Sequence, residues 1–491
     1  MIWGVDLLYF WILGAPLAGA VILAVLPWWR VEIWVNLAVS AVTFAGTIQL
    51  LYHTPETNLL LFVDDFNSFF LILTTFVGLT TSVYSAAYVG REKKYGNDSR
   101  SQLRFYYHPL YQAFVFTMLL ALMSNNIGLL WVSVEAATLA TVLMVNMYRS
   151  RMSTEAAWKY FILCSVGIGL ALFGTILVYM AAQPVMGQGL GAMMLSALVE
   201  PAAKFHPELL NLAFVFLLVG YGTKVGLAPV HFWLPDAHAE GPTPVSAILS
   251  GLLLNVALYA LVRFKIIMEV NTISLDPSPF MMGIGLFSML VAGFMIYRRG
   301  DIKRLFAYSS IEHMGLATFA FGFGGPLVSF AALLHVAMHS LIKSSVFFAV
   351  GMAVQHSGSK RLEIIRGLSV SHPLLGWMLV LSVLAIAGLP PFGVFASEFL
   401  LLTAVVGENP VLAVALLLLL LLAFGALLLR LQSIVFGAPP EELKGYPEHT
   451  VWTALLAYTP MFVHMGLALA AGLFLPDKVV EWLQRIAATL G

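Results

Sequence analysis

The chain has 491 residues, 60% hydrophobic and 10% charged, with mean hydropathy +0.90. A soluble domain carries about 25% charged residues, so this chain lacks the polar groups to cover a water-facing surface and is expected to dissolve in lipid. Lys+Arg and Asp+Glu each number 25, which leaves no electrostatic footprint for nucleic acid, and one cysteine, Cys164, excludes an internal disulfide, an iron–sulfur cluster or a thiolate zinc site on this chain.

Along the chain, about fourteen apolar segments reach the ~20 residues that a bilayer requires. They centre near residues 17, 42, 77, 116, 138, 168, 219, 255, 288, 314, 341, 388, 422 and 462. The first reads as a membrane span rather than a cleaved signal, because it lacks a basic n-region and a small-residue cleavage site. The gaps are short, so no soluble domain is inserted. The longest polar stretch is GREKKYGNDSRSQLRFYYH (90–108).

Sorting the 25 basic residues by alternate loops gives a strong bias. One side receives 16: Arg30, Arg91, Lys93, Lys94, Arg100, Arg104, Arg149, Arg151, Arg298, Arg299, Lys303, Arg304, Lys360, Arg361, Arg366 and Lys444. The other receives 5: Lys204, Arg263, Lys265, Lys478 and Arg485. The richer side is expected to face the cytoplasm. An even number of spans then puts both termini outside it.

Charge inside a span costs roughly 2.5–3.5 kcal/mol on insertion scales and marks ion or proton paths. Glu135 lies in LLWVSVEAATLATVLMVN, Lys224 in YGTKVGLAPVHF and Glu398 in LPPFGVFASEFLLL. His335, His339 and Lys343, each four residues apart in LLHVAMHSLIKSSVFF, stack on one side of a helix. Glu135 and Lys224 are expected to approach each other, since each is costly alone; a static ion pair is the plainer alternative. Lys159 and Arg430 lie near segment ends and can snorkel. An i, i+4 histidine pair can hold zinc, but no carboxylate or cysteine accompanies His335 and His339 at ligand spacing, so no metal is expected. His231, His238 and His313 sit near segment ends or turns and receive no individual role.

Prolines interrupt two spans. Pro229 and Pro235 break segment seven; Pro390 and Pro391, between Gly388 and Gly393, break segment twelve. A break frees backbone groups and is tolerated only where protein or a wet cavity covers them. The two broken segments are five apart, and each carries a charge near its break. That pattern predicts two five-helix repeats, about 109–268 and 279–437, inverted because five is odd. Three helices precede them (1–90) and one follows (449–475). Discontinuous helices at matching places in inverted repeats point to the transport site. A lysine held between burial and a nearby carboxylate can load and release a proton.

The runs TKVGLAPVHFWLPDAHAEGPTPVSA, IKRLFAYSSIEHMG and LPPFGVFASEF resemble the antiporter-like membrane subunits of respiratory complex I, a fold shared with membrane-bound hydrogenases and multi-subunit cation/proton antiporters. The likeness spans about 110–437. SSIEHMG, with Glu312 before the histidine, is most similar to the hydrogenase branch, in particular the F component of hydrogenase-4 and its formate hydrogenlyase relatives. The resemblance implies that Glu135 tunes Lys224, that His335, His339 and Lys343 form a relay, and that Glu398 is the terminal site. One departure stands out: relatives carry a histidine or lysine on segment eight, whereas AILSGLLLNVALYALVRF offers only Ser250 and Asn255. With Glu312 these are the added relay candidates, and water has to bridge the middle of the path. The final stretch DKVVEWLQRIAATLG is expected not to extend into the long lateral helix of some relatives.

The sequence therefore reads as a single all-α polytopic membrane domain. Its expected function is proton translocation within a redox-driven complex, either a membrane-bound hydrogenase or a complex I-like assembly. Moving a proton against a potential costs about 2.3 kcal/mol per 100 mV. The chain shows no phosphate-binding loop and no redox site to supply that, so catalysis and cofactors are expected on partner membrane and soluble subunits, with none on this chain. The expected location is the inner (cytoplasmic) membrane, with protons favoured over Na⁺. The alternatives are a subunit of a cation/proton antiporter, a bicarbonate-uptake subunit and a non-pumping membrane anchor.

Overall fold

A computed structural model describes residues 6–26, 29–96, 102–298, 300–439 and 447–490. Arg100, Arg299 and Lys444, counted above for orientation, lie outside the described residues. Apart from three isolated bridges, the described residues form helices, turns and loops.

Among the described residues, eleven helices are long and apolar enough to cross a membrane. In chain order these include α1 (Leu7–Val25), α2 (Arg30–Leu51) and α3 (Asp65–Tyr95). Helix α4 (Leu103–Met123) follows; its tyrosines, histidine and glutamine lower its hydropathy. Next come α5 (Ile127–Val145), α6 (Arg151–Met186) and α7 (Pro207–Val225). Segment seven resumes after its break as the short α8 (Trp233–Glu240). Segment eight is α9 (Thr243–Val270), followed by α10 (Ser278–Arg298), α11 (Ile302–Phe323) and α12 (Pro326–Ser357). Segment twelve is split into α13 (Pro373–Ile386) and α14 (Gly393–Glu408). Helices α15 (Pro410–Phe436) and α16 (Val451–Leu473) complete the expected spans, and a short amphipathic α17 (Asp477–Ala488) follows. The fourteen expected segments are thus all present as helices, two of them broken.

Burial separates inner from outer helices. Helices α9 and α12 are almost wholly enclosed, whereas α1, α2, α15 and α16 expose much of their apolar surface. An apolar helix that shows its side chains outward suits lipid; one enclosed on all sides has room for polar groups if they find partners.

The breaks are held by specific hydrogen bonds. Helix α7 ends at Gly226, whose φ of +84° suits glycine. Beyond it the Ala228 N–H donates to Ser288 Oγ (2.9 Å), and Trp233 Nε1 donates to the Thr223 carbonyl (2.7 Å). One X–Pro bond at each break, Ala228–Pro229 and Pro390–Pro391, is cis. At the second break Gly388 has φ +74°, and a Cβ there would collide with the Glu398 carboxylate.

The loops sort onto two faces. A cavity of about 1060 Å³ brings together Glu92, Ser150, Glu240, Arg298, Lys303 and Lys360 from alternate loops. The opposite face carries Asp64 and Arg263, which pair at 2.6 Å.

Candidate functional site

Beside each broken span lies a buried cluster of charged and polar side chains. In the first, Lys224 is fully buried near the end of α7. Its amine donates to Thr138 Oγ1 on α5 and lies 5.6 Å from the centre of the Tyr160 ring on α6. Cys164 and Glu135 lie within electrostatic reach of it. Glu135 is half-buried and accepts a hydrogen bond from Ser165 Oγ at 3.1 Å. No Lys224–Glu135 ion pair forms within 4 Å among the described residues. The lysine reaches past the glutamate by one helical turn to a hydroxyl, so the expected approach is a shared layer rather than a direct contact.

The second cluster spans α8, α11, α12 and α14. His335, His339 and Lys343 are all buried along α12. Lys343 Nζ donates to the Phe306 carbonyl at 3.0 Å. Glu312 and His313 of α11 face this row, with the Glu312 carboxylate 3.3 Å from His313 Nε2. His313 Nδ1 lies 3.2 Å from His335 Nε2, and His335 Nδ1 lies 3.0 Å from Ser397 Oγ on α14. Glu398, the next residue on α14, reaches the same point and lines a cavity of about 360 Å³ with Glu312, His313 and the second break.

Segment eight joins this cluster through neutral groups. Ser250 Oγ lies 2.7 Å from Ser310 Oγ, which donates to the Phe306 carbonyl at 3.1 Å. Lys343 uses that same carbonyl, so Ser250 is one hydroxyl and one carbonyl away from the lysine. Asn255 Nδ2 donates to Ser340 Oγ at 2.6 Å, next to His339 and about one turn from Lys343. The two clusters share no hydrogen bond among the described residues.

Two residues without an assigned role belong here. His313 bridges Glu312 and His335. His238, on α8, is fully buried against the Phe347 ring, with neither ring nitrogen hydrogen-bonded. It lies within electrostatic reach of Lys343 and of Lys303, whose amine donates to the Gly241 carbonyl at the wall of the large cavity. The signal for both was a histidine beside a charge or a break. The two outlying charges behave as span-end residues: Lys159 pairs with Glu155 (2.7 Å) and Asp236 (3.3 Å), and Arg430 donates to the Tyr297 carbonyl.

Residues 124–423 match the family described as NADH:quinone oxidoreductase/Mrp antiporter, transmembrane. The chain belongs to this family. A "Hydrogenase-4 component F homolog" from Methylacidiphilum infernorum is 51% identical over 475 residues, covering 97% of this chain and 98% of the relative. The fold is similar to a chain of respiratory complex I from Thermus thermophilus (25% identity, TM-score 0.75, 94% of this chain and 97% of that one). It is also similar to a chain of the Mrp complex from Dietzia sp. (20% identity, TM-score 0.82, 98% and 97%). The chain is therefore an antiporter-like membrane subunit of the complex I and membrane-bound hydrogenase family. The hydrogenase branch expected from SSIEHMG accords with the 51% identity.

Proposed function

We propose that this chain carries protons across the inner membrane as one subunit of a redox-driven complex. The observation that carries this reading is the buried row Lys343, Glu312, His313, His335 and Glu398. It runs from beside the Phe306 carbonyl to the cavity at the second break. Each member can gain or lose a proton, and three helices, α11, α12 and α14, are needed to assemble it. Nothing in a merely structural bundle requires this concentration of titratable groups, given what each costs in lipid.

In this reading, protons enter from the large polar cavity beside Lys303 and Glu240, and His238 hands them to Lys343. His339 borders the row from α12. Lys224, tuned by Glu135, is the counterpart in the first repeat, and Ser250 and Asn255 position the hydrogen-bonded route in segment eight. The two repeats, about 109–268 and 279–437, are inverted copies whose breaks at Pro229 and at Pro390 and Pro391 admit water. The basic-loop face is cytoplasmic and both termini lie on the other side. Partner membrane and soluble subunits supply the redox energy. Sodium prefers carboxylate and carbonyl oxygens, and the route is rich in lysine and histidine, which favours H⁺.

The test uses the intact complex in sealed vesicles. Glu398→Gln should stop vesicle acidification while partner subunits still reduce an artificial acceptor. Acidification at the wild-type rate would refute the role of the terminal carboxylate.

A further inference from the structure

His313, His335 and Glu398 come from three different helices, yet each offers one ligand atom within 4.8 Å of the other two. The groups around the two rings favour one placement of their protons. Ser397 Oγ gives its single proton to the Val394 carbonyl at 2.7 Å, so it can only accept from His335 Nδ1. That leaves the lone pair of His335 on Nε2. The Glu312 carboxylate lies 3.3 Å from His313 Nε2, close enough for its charge to favour the proton of His313 on that nitrogen, although the two are not aligned as a hydrogen bond. The lone pair of His313 is then on Nδ1. The two lone-pair nitrogens face each other at 3.2 Å. Two such nitrogens repel unless something positive lies between them.

A proton fits that slot, and so does a metal ion. Zinc–nitrogen bonds of 2.0–2.1 Å in a tetrahedral site put the two nitrogens roughly 3.3–3.4 Å apart. The observed spacing already lies within about 0.2 Å of that. The outer nitrogen of His335 is hydrogen-bonded to Ser397, and that of His313 lies 3.3 Å from the Glu312 carboxylate; outer partners of this kind orient metal-bound imidazoles. Glu398 supplies an anionic third ligand. Glu398 and Glu312 together match the charge of a divalent ion, which offsets the cost of burying it. The cavity of about 360 Å³ lined by His313 and Glu398 leaves room for a water as fourth ligand.

We propose that His313, His335 and Glu398 form a binding site for a divalent transition-metal ion of the Zn²⁺ class, entered from the cavity at the second break. The carboxylate that the sequence spacing around His335 and His339 does not offer would come from α14. His339 lies outside the group whose ligand atoms approach one another within 4.8 Å. If the proton reading holds as well, a bound ion would occupy the path and block it. Binding itself does not depend on that reading.

The experiment measures uptake of radiolabelled Zn²⁺ by the purified intact complex, alongside zinc absorption-edge spectroscopy. Wild type should take up one more equivalent than His335→Gln or Glu398→Gln. Ser397→Ala should weaken the affinity by about 10–100-fold, and His339→Gln should leave uptake unchanged. The wild-type spectrum should show nitrogen and oxygen ligands near 2.0 Å without sulfur, and it decides by itself should a variant fail to assemble. No uptake by wild type, uptake that survives both ligand variants, or a sulfur-bound ion would overturn the site. Loss of pumping with normal zinc uptake would bear on the proton path alone.

Discussion

Replacing Lys343 with methionine separates its charge from its packing. The side chain is fully buried, and its one hydrogen bond is to the Phe306 carbonyl. That carbonyl keeps the Ser310 hydroxyl at 3.1 Å, so it is not orphaned by the change. The loss is one hydrogen bond, about 0.5–1.5 kcal/mol net, and methionine fills a similar volume with flexible, apolar atoms. The need to shelter an ammonium disappears with it, which acts in the opposite direction. The complex should therefore assemble at normal yield and melt within a few degrees of wild type. Proton transfer should fall much further, because a positioned acid–base group contributes about 10²–10⁴-fold to a transfer step. The assay is dye-detected acidification of sealed vesicles, normalised to electron transfer by the partner subunits. Lys343→Arg should also fail, since a guanidinium keeps its proton. Acidification within about twofold of wild type in the methionine variant would refute the reasoning.

Lys224→Ala should abolish proton transfer and leave assembly intact, and Lys224→Arg should not rescue it; full pumping by the arginine variant in vesicles would reduce this lysine to a fixed charge. Asp64→Asn should destabilise the complex by about 1–2 kcal/mol, read as a lower melting temperature; Arg263 loses its charged partner, but Asp64 is 40% exposed, so the cost falls below that of a fully buried pair. Burial raises the Asp64 carboxyl pKa, but the Arg263 charge and the backbone N–H groups of Asn67 and Phe66 outweigh it and hold it below the ordinary value. Its stabilisation is present at neutral pH and should be lost as pH falls through that lowered value, a slope that Asp64→Asn should remove. Burial and then the Arg91 charge push the His449 imidazole down to about 4, with His372 and His356 beside it. The neutral ring is favoured on folding, so residues 447–450 should hold fully above about 6.5 and loosen as pH falls from there toward 4, measured by hydrogen exchange and absent in His449→Gln.

The breaks were legible because proline and charge are the two features a lipid-facing helix avoids. Pro229 and Lys224 sit together in the first, and Pro390, Pro391 and Glu398 in the second. The α12 row was legible because a spacing of four fixes a shared helix face whatever surrounds it. What lay beyond the sequence was register between helices. Nothing in the spacing of His313 says that it meets His335, and nothing in SEF says that Ser397 and Glu398 land on that pair. The partners of Lys224 were missed for a different reason. Thr138 and Cys164 carry no charge, so a search guided by cost paired the lysine with Glu135 and overlooked the hydroxyl one turn away. Segment eight shows the same blindness. Ser250 and Asn255 offer no titratable signal, yet their hydrogen bonds reach Ser310 and Ser340 within the Lys343 cluster.

The second break does more than free backbone groups. Glu398 needs space beside α13 for its carboxylate to stand near His313 and His335. That space exists because residue 388 has no side chain and takes a φ of +74°. A side chain at 388 would collide with the carboxylate, and a regular helix through 387–392 would remove the positive φ there. Pro390 and Pro391 make continuity impossible, Gly388 opens the gap, and the Leu389 N–H bonds to the Leu384 carbonyl at 3.1 Å, so the exposed backbone stays paired. Helix break, glycine and glutamate are therefore one device. The charge that would be intolerable on an intact span is brought within reach of two imidazoles, and the cavity that makes it reachable comes from the same interruption.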